Sequence, residues 1–469
     1  MSRQATNTSN WLPKLVSGAG SWANRLADAI AADVASGRLA PGDQLPTQRA
    51  LARYLGITTG TVNRAYAVAE RAGVVTAEVG RGTFVAVSAG ADVQSTGLVP
   101  KALGAIDLGL NYPASPEAEQ ALGKALSRLV RREPFSGLLG LSPYEGRPKH
   151  RAAGARWLSY FGLSVSKEDV LLCTSVQHGL AATLAALTVP GDVVLTEGLT
   201  SPGIKALAAM HQLRLVAVGC DEEGILPDAL ASACRTTGAR VLYTMPTLHT
   251  PTTIIMTEER RRSIANVIRK QTLIAIEDDA WGFLAAGTVQ PLQSLVPDCV
   301  VYLTSFSKSV APGLRVGYVV APASLRGAIT SCIGTMTWTS PLSAEVVSQW
   351  IEDGTAASIM KQRVETARGR QQLAQELLGS AIKTPAIPAY HLWLPLPEPW
   401  RVDDFVAHAG TLGVSLASTD IFVPGRAPTP HAVRVCIGTE ANVSRVEEGL
   451  RVIARMLKSG PAGYSMSGI

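Results

Sequence analysis

The sequence predicts an α/β protein in two parts: a small front domain of three helices and a β-hairpin, then a much larger body on a mostly parallel sheet. Three observations carry this. The chain has 469 residues, more than one hydrophobic core usually organises, so at least two domains are expected. Apolar β-type runs ("DVLLCT", "DVVLTE", "RLVAVG", "RVLYTM", "TLIAIED", "VVYLTSF", "VGYVVA") alternate with helical stretches such as "GLAATLAAL" and "TEERRRSIANVIRK". Strands that cross to parallel neighbours through helices leave that pattern. The first 90 residues hold nine Lys+Arg against five Asp+Glu, and the rest of the chain supplies only +2 of the net +6, so the basic excess sits at the front.

In the stretch 21–87, Trp22, Leu26, Ile30 and Val34 recur every four residues and Gly37 closes the run, which predicts one amphipathic helix. A turn at Pro41-Gly42 leads to a short helix from about Thr47 to Tyr54, ended by Gly56. Thr58 is placed to cap a third helix with Val62, Ala65, Tyr66 and Ala69 inside and Gly73 at its end. "VVTAEV" and "TFVAV" flank "GRG" and read as a hairpin. Three helices and a hairpin make a winged helix-turn-helix, domain 1–87. Residues 88–106 are small, polar and aperiodic, so they read as a linker. The body, 107–469, divides into a large lobe of about 150–345 and a smaller α+β lobe of about 346–469. The smaller lobe holds the long helix "MKQRVETARGRQQLAQELL", the strands "HLWLPL" and "AVRVCIG", and a closing helix near 443–458.

Composition narrows the class. Hydrophobic residues are 46% and charged ones 17%, which suits a globular fold rather than a disordered one. The six cysteines form no CxxC pair, against a zinc site or a disulfide framework. No apolar run reaches the roughly 18–20 residues of a membrane span, so no metal, no membrane and a cytoplasmic location are expected.

A helix entering the major groove reads DNA with its N-terminal residues. Here these are Thr58, Thr59, Gly60, Thr61, Asn63 and Arg64: hydroxyls and backbone N–H groups for phosphate, an amide and a guanidinium for base edges. Arg49 would reach the backbone, and Arg81, between two glycines at the hairpin tip, suits a minor groove. Taken singly, Arg49 or Arg64 reads as a solvated charge and "GRG" as a turn. The run "LPTQRALARYLGITTGTVNRAY…GRGTFV" is far more specific, and it closely resembles the GntR-family winged helix over roughly 22–87. The resemblance implies a double-stranded DNA operator as partner. Thr59-Gly60 departs from the basic or bulkier polar residue common in that family, which shifts base reading toward Thr61 and Asn63.

In the body, "TSFSKSVAPGLRVGY" places Lys308 three residues after Ser305 and seven before Arg315. An ε-amino group can condense with a carbonyl, and a turn through "APG" can return the arginine to share a phosphate with Ser305. Asp278 ends the apolar run "IAIED", where parallel strands gather ligands. A carboxylate there can pair with a protonated pyridine nitrogen. "TSVQHGL" opens a helix whose N-terminal amides suit a phosphate.

"SFSKSVAPGLRVGY", "IEDDAWG", "TSVQHGL", "PTLHTPTT" and "VRVCIG" stand in the order found in fold-type-I aminotransferases, over about 107–458. With the front domain, the whole chain resembles a MocR-type regulator of the GntR superfamily. That resemblance implies pyridoxal 5'-phosphate held as an internal aldimine on Lys308. It implies Asp278 against the pyridine nitrogen and Ser305, Arg315, Ser175 and Gln177 around the phosphate. It also implies Arg434 clamping a carboxylate, Tyr144 lent by a second subunit of a homodimer, and a small amine or amino acid as effector.

The departures from the pattern are Ser201 where an aromatic stacks on the ring, Thr250 for an asparagine, Trp281 for a tyrosine and Val176 for a glycine. Trp281, His178 or His249 is expected to supply some of the missing contact. Three functions stay open: a regulator sensing the cofactor or an amine, a working aminotransferase with an accessory DNA-binding domain, and a regulator whose pocket takes another ligand.

Overall fold

The computed structural model describes residues 11–13, 22–35, 38–39, 43–71, 74–78, 82–85, 104–131, 138–424 and 429–460. The chain separates into two compact units, Met1–Asp92 and Val93–Ile469.

In the first unit, helix α1 spans Trp22–Ala35, α2 Gln48–Leu55 and α3 Thr59–Arg71. Thr47 caps α2 by accepting a hydrogen bond from the Ala50 N–H, and Gly56 ends it at φ 65°, a left-handed conformation that glycine enters without steric cost. Leu26, Ile30, Leu51, Val62 and Ala65 are fully buried and share one core with Val75 and Val85. Strand β1 (Val75–Glu78) pairs antiparallel with β2 (Gly82–Val85), Val75 opposite Val85. The Tyr66 hydroxyl ties α3 to the turn before α2 by donating to the Pro46 carbonyl at 2.8 Å.

The second unit is built on seven strands: β3 (Val170–Cys173), β4 (Val193–Glu197), β5 (Arg214–Val218), β6 (Val241–Thr244), β7 (Ile274–Asp278), β8 (Val300–Ser305) and β9 (Gly317–Val320). Their order is β3-β9-β8-β7-β6-β4-β5. The pairs β8–β7, β7–β6, β6–β4 and β4–β5 are parallel, while β9 is antiparallel to both of its neighbours. Six strands therefore point one way, and their C-terminal ends gather Ser305, Asp278, Thr244, Glu197 and Cys173 along one edge. Because β9 runs the other way, its first residue lies at that same edge, so the Arg315 turn arrives beside the ends of β3 and β8. Gly317 is required there: a Cβ would stand 2.9 Å from the Thr304 carbonyl oxygen and 3.0 Å from Cys173 Sγ.

A smaller lobe packs Ile106 and Leu108 with residues from Ala374 to Met456 around strands β10 (His391–Pro395) and β11 (Ala432–Cys436). The short strand Ile106–Asp107 pairs in parallel with Val414–Ser415. The helix Pro341–Glu352, in contrast, sends Val346, Val347 and Trp350 into the large-lobe core. Among the described residues no helix is long and apolar enough to cross a membrane, and no cluster of His, Cys, Asp or Glu could hold a metal ion.

Candidate cofactor pocket and DNA-reading face

At the end of β7, Asp278 is buried. Its Oδ2 accepts from the Tyr243 hydroxyl at 2.6 Å and its Oδ1 from the Ala280 N–H at 3.1 Å. Burial pushes its carboxyl above the usual aspartate range, while the Tyr243 and Ala280 hydrogen bonds and the Lys308 charge pull the other way.

Lys308 sits in the short helix Phe306–Ser309 that follows β8. Its Nζ donates to the Asn111 carbonyl, lies 3.2 Å from the Tyr112 ring centroid and 5.1 Å from that of Trp281. Burial first, then the Arg434 guanidinium, lowers this amine to about 7. A large share of it is therefore neutral, and nucleophilic, near neutral pH.

Ser175 caps helix α4 (Val176–Leu187), accepting from the His178 N–H at 3.1 Å. Arg315 reaches it, Nη2 to Ser175 Oγ being 3.4 Å, although the two residues lie far apart in sequence. Ser305 caps the Lys308 turn by accepting from the Ser307 N–H. A hydroxyl, a guanidinium and a helix N-terminus thus share one corner at the strand ends. Val176 packs its side chain against the sheet core, and exposed Gln177 donates to the Gly203 carbonyl at 2.9 Å.

Arg434, on β11, is buried; it donates to the Gly109 carbonyl at 2.8 Å and lies 4.7 Å from the Phe422 ring centroid. Trp281 is buried beside Lys308. Of the two histidines considered with it, His249 has both ring nitrogens bonded, and His178 has one, its Nε2 being buried without a partner among the described residues. His249 Nε2 meets the Leu199 carbonyl at 3.0 Å and its Nδ1 meets Thr252 Oγ1 at 2.7 Å. His178 Nδ1 accepts from the Thr174 N–H at 3.1 Å. Ser201 caps the helix Pro202–Met210 and also acts on the Tyr243 hydroxyl. Thr250 is buried in the same turn as His249. Tyr144 is half exposed, its ring against Gly334.

Four residues at this site escaped the sequence reading. Tyr243 is one apolar-run residue among many until β6 pairs with β7 and sets it against Asp278. Asn111 and Tyr112 come from "GLNYP", an irregular segment. Among the described residues Asn111 is buried with both amide atoms unpaired, a polar residue among apolar neighbours that composition could have flagged. His391, on β10, is fully buried with Nδ1 unpaired.

On the first unit, Thr58, Thr59, Asn63, Arg64 and Arg49 are exposed around the start of α3 and α2, with Thr61 half-buried. Thr58 Oγ1 accepts from the Thr61 N–H at 3.2 Å and shares a hydrogen bond with Thr61 Oγ1 at 2.9 Å. Gln48 Nε2 donates to Asn63 Oδ1 at 3.2 Å, bridging the two helices. Arg81 lies outside the described residues.

Residues 104–450 match the family of aminotransferase class I and II, and residues 22–85 match bacterial regulatory proteins of the gntR family. The chain is 29% identical to the uncharacterized HTH-type transcriptional regulator YdeF of Bacillus subtilis, over 92% of this chain and 93% of that one. It is likewise 29% identical to the HTH-type transcriptional regulator TauR of Rhodobacter capsulatus, over 68% and 71%. Among solved structures it resembles the Thermus thermophilus α-aminoadipate aminotransferase LysN complexed with N-(5'-phosphopyridoxyl)-L-leucine. The TM-score there is 0.68 at 25% identity, covering 76% of this chain and 92% of that one. An archaeal alanine:glyoxylate aminotransferase gives a TM-score of 0.70 at 21% identity, covering 76% and 91%, which shows the fold alone.

Proposed function

The chain belongs to the aminotransferase class I and II family, and from that membership, with a gntR-type unit in front, we propose a DNA-binding transcriptional regulator. Its second unit takes up pyridoxal 5'-phosphate on Lys308 and senses a small amine or amino acid there. One observation carries the reading: a lysine lowered to about 7 within electrostatic reach of both a buried carboxylate, Asp278, and a buried guanidinium, Arg434.

The residues present fit the cofactor. Asp278, held by Tyr243 and the Ala280 N–H, would face the ring nitrogen. Ser175, Arg315 and the first turn of α4 would hold the phosphate, as helix N-termini do. When bound, the cofactor supplies an aldehyde that condenses with a primary amine and a ring that draws electrons.

The chain's own groups do the rest. Lys308 provides the neutral amine. Tyr243 orients the Asp278 carboxylate, Trp281 shields the amine from water, and Arg434 offers a fork for a ligand carboxylate. Sensing becomes regulation when the ligand prefers one of two arrangements of the protein. A homodimer is part of the proposal: Leu126 and Leu342 are exposed and, with Tyr112, line an apolar cleft of about 620 Å³ that a second copy would cover.

Arg434 and Lys308 also favour a second reading, a working aminotransferase. Steady turnover of an amino acid with a keto acid would establish it.

The test uses the purified full chain with excess cofactor. A visible absorption band that borohydride fixes covalently, and that Lys308→Ala removes, is expected. DNA affinity measured at one stated salt concentration should change when an effective amine is added. Wild-type protein without a band would rule out the cofactor reading, and unchanged DNA affinity across all amines that shift the band would rule out the sensor.

A further inference from the structure

β10 and β11 pair antiparallel, with His391 opposite Cys436 and Trp393 opposite Arg434. Directly opposed residues share a face of a β-ribbon, as do residues two apart on one strand, so His391, Cys436 and Arg434 stand on one face. That face turns toward the pocket. Arg434 and Cys436 both donate to the Gly109 carbonyl, and the His391 ring lies 5.6 Å from the Trp281 ring, which in turn lies 5.1 Å from Lys308 Nζ.

The protonation of His391 follows from its one hydrogen-bond partner among the described residues. Nε2 is 3.2 Å from the His249 carbonyl oxygen, and a carbonyl only accepts, so Nε2 carries the hydrogen. Burial, then the Arg434 charge, lowers the ring to about 3, so the imidazole is neutral and Nδ1 is a bare lone pair. Among the described residues that lone pair is buried without a donor, on a residue with no exposed surface. The Asn111 amide is also unpaired, so the two do not satisfy each other. An isolated buried acceptor is disfavoured unless something brings it a donor.

We propose that His391 is a ligand-reading residue: its Nδ1 accepts a hydrogen bond from an N–H or O–H group on the side chain of the molecule that engages Lys308 and Arg434. The inference rests on the reading of those two residues given above. It narrows the ligand class to small amino acids or amines with a side-chain donor, because a site built to hydrogen-bond a hydroxyl discriminates strongly against an analogue lacking it.

The experiment titrates cofactor-loaded protein with two isosteric pairs, L-threonine against L-valine and L-homoserine against L-norvaline, reading the shift of the visible band. The hydroxylated member of at least one pair should bind about tenfold or more tightly. His391→Leu should bring that ratio to within about twofold while leaving the cofactor's own band intact, and His391→Asn, which restores an acceptor, should recover part of it. Ratios near one for both pairs in the wild type, or a ratio that survives His391→Leu, would overturn the proposal. If the wild type shows no band at all, the cofactor reading has failed. Thermal-shift titration of the same pairs, which needs no cofactor, then decides the role of His391 by the same ratios.

Discussion

The lowered amine of Lys308 makes a quantitative prediction about pH. An amine titrating at about 7 is roughly three-quarters neutral near pH 7.5, against about 0.1% for an unperturbed lysine, an advantage of roughly 700-fold in nucleophile. Removing the Arg434 charge leaves the burial in place but takes away the largest electrostatic cause of the lowering. Arg434→Met should therefore move the amine upward. Each unit of rise cuts the neutral fraction near pH 7.5 about threefold at first and about tenfold thereafter. The assay is stopped-flow capture of pyridoxal 5'-phosphate by cofactor-free full-length protein, followed at the visible band from about pH 6 to 9. Wild-type rates should climb and level off around a midpoint near 7, and Arg434→Met rates should level off later. A wild-type rate still rising tenfold per unit at pH 9, or a variant whose midpoint is unmoved or lower, would refute the reasoning.

On the DNA-reading face, Asn63→Ala should weaken binding to a selected operator by about 1–3 kcal/mol and relax its base preference. Arg49→Ala should weaken all duplexes alike and reduce the salt slope by about one. Gel-shift titrations at several salt concentrations separate the two, and identical behaviour of both variants would remove Asn63 from base reading. In the sheet, Gly317→Ala places a Cβ against the fixed Thr304 carbonyl. It should lower stability by about 1–3 kcal/mol, seen as a lower unfolding midpoint; an unchanged midpoint would show that β8 and β9 can part without cost.

Most of the seven strands were legible because strands buried on both faces of a parallel sheet read as continuous apolar runs; β5, at the sheet edge, is buried only at Val218. Each of the seven quoted runs contains one strand of the sheet. Ile106–Asp107 was not, since two residues make no run; only its pairing with Val414–Ser415 gives it meaning. The small lobe's core begins further along the chain than a change in pattern suggests, because the helix Pro341–Glu352 belongs by its buried face to the large lobe. Lys308, Asp278 and Arg315 stood out through motif spacing. Tyr243 and His391 did not, because each is one residue of an apolar strand whose setting comes only from the tertiary fold: Tyr243 meets Asp278 across β6–β7, and His391 meets the carbonyl of His249 in the loop beyond β6.

The same burial shifts the two central groups in opposite directions, raising the Asp278 carboxyl and lowering the Lys308 amine, in each case against the charged form. Burial raises Asp278, but its two carboxylate oxygens accept from Tyr243 and from a backbone N–H, which favours the charged form. Lys308 has a carbonyl, two ring faces and the nearby Cys436 and Asp278 against its burial and the Arg434 charge, and it titrates at about 7. An amine lowered to about 7 within electrostatic reach of a buried, hydrogen-bonded carboxyl suits the cofactor proposed above. Two departures from the aminotransferase pattern touch these same groups. Ser201 commits its hydroxyl to capping a helix and presents no ring, and buried Trp281 brings an indole toward the amine where a phenol is usual. Proton transfer in repeated turnover tolerates little misplacement, so the changes at Ser201 and Trp281 are part of the proposal above that this pocket binds a ligand and reports it.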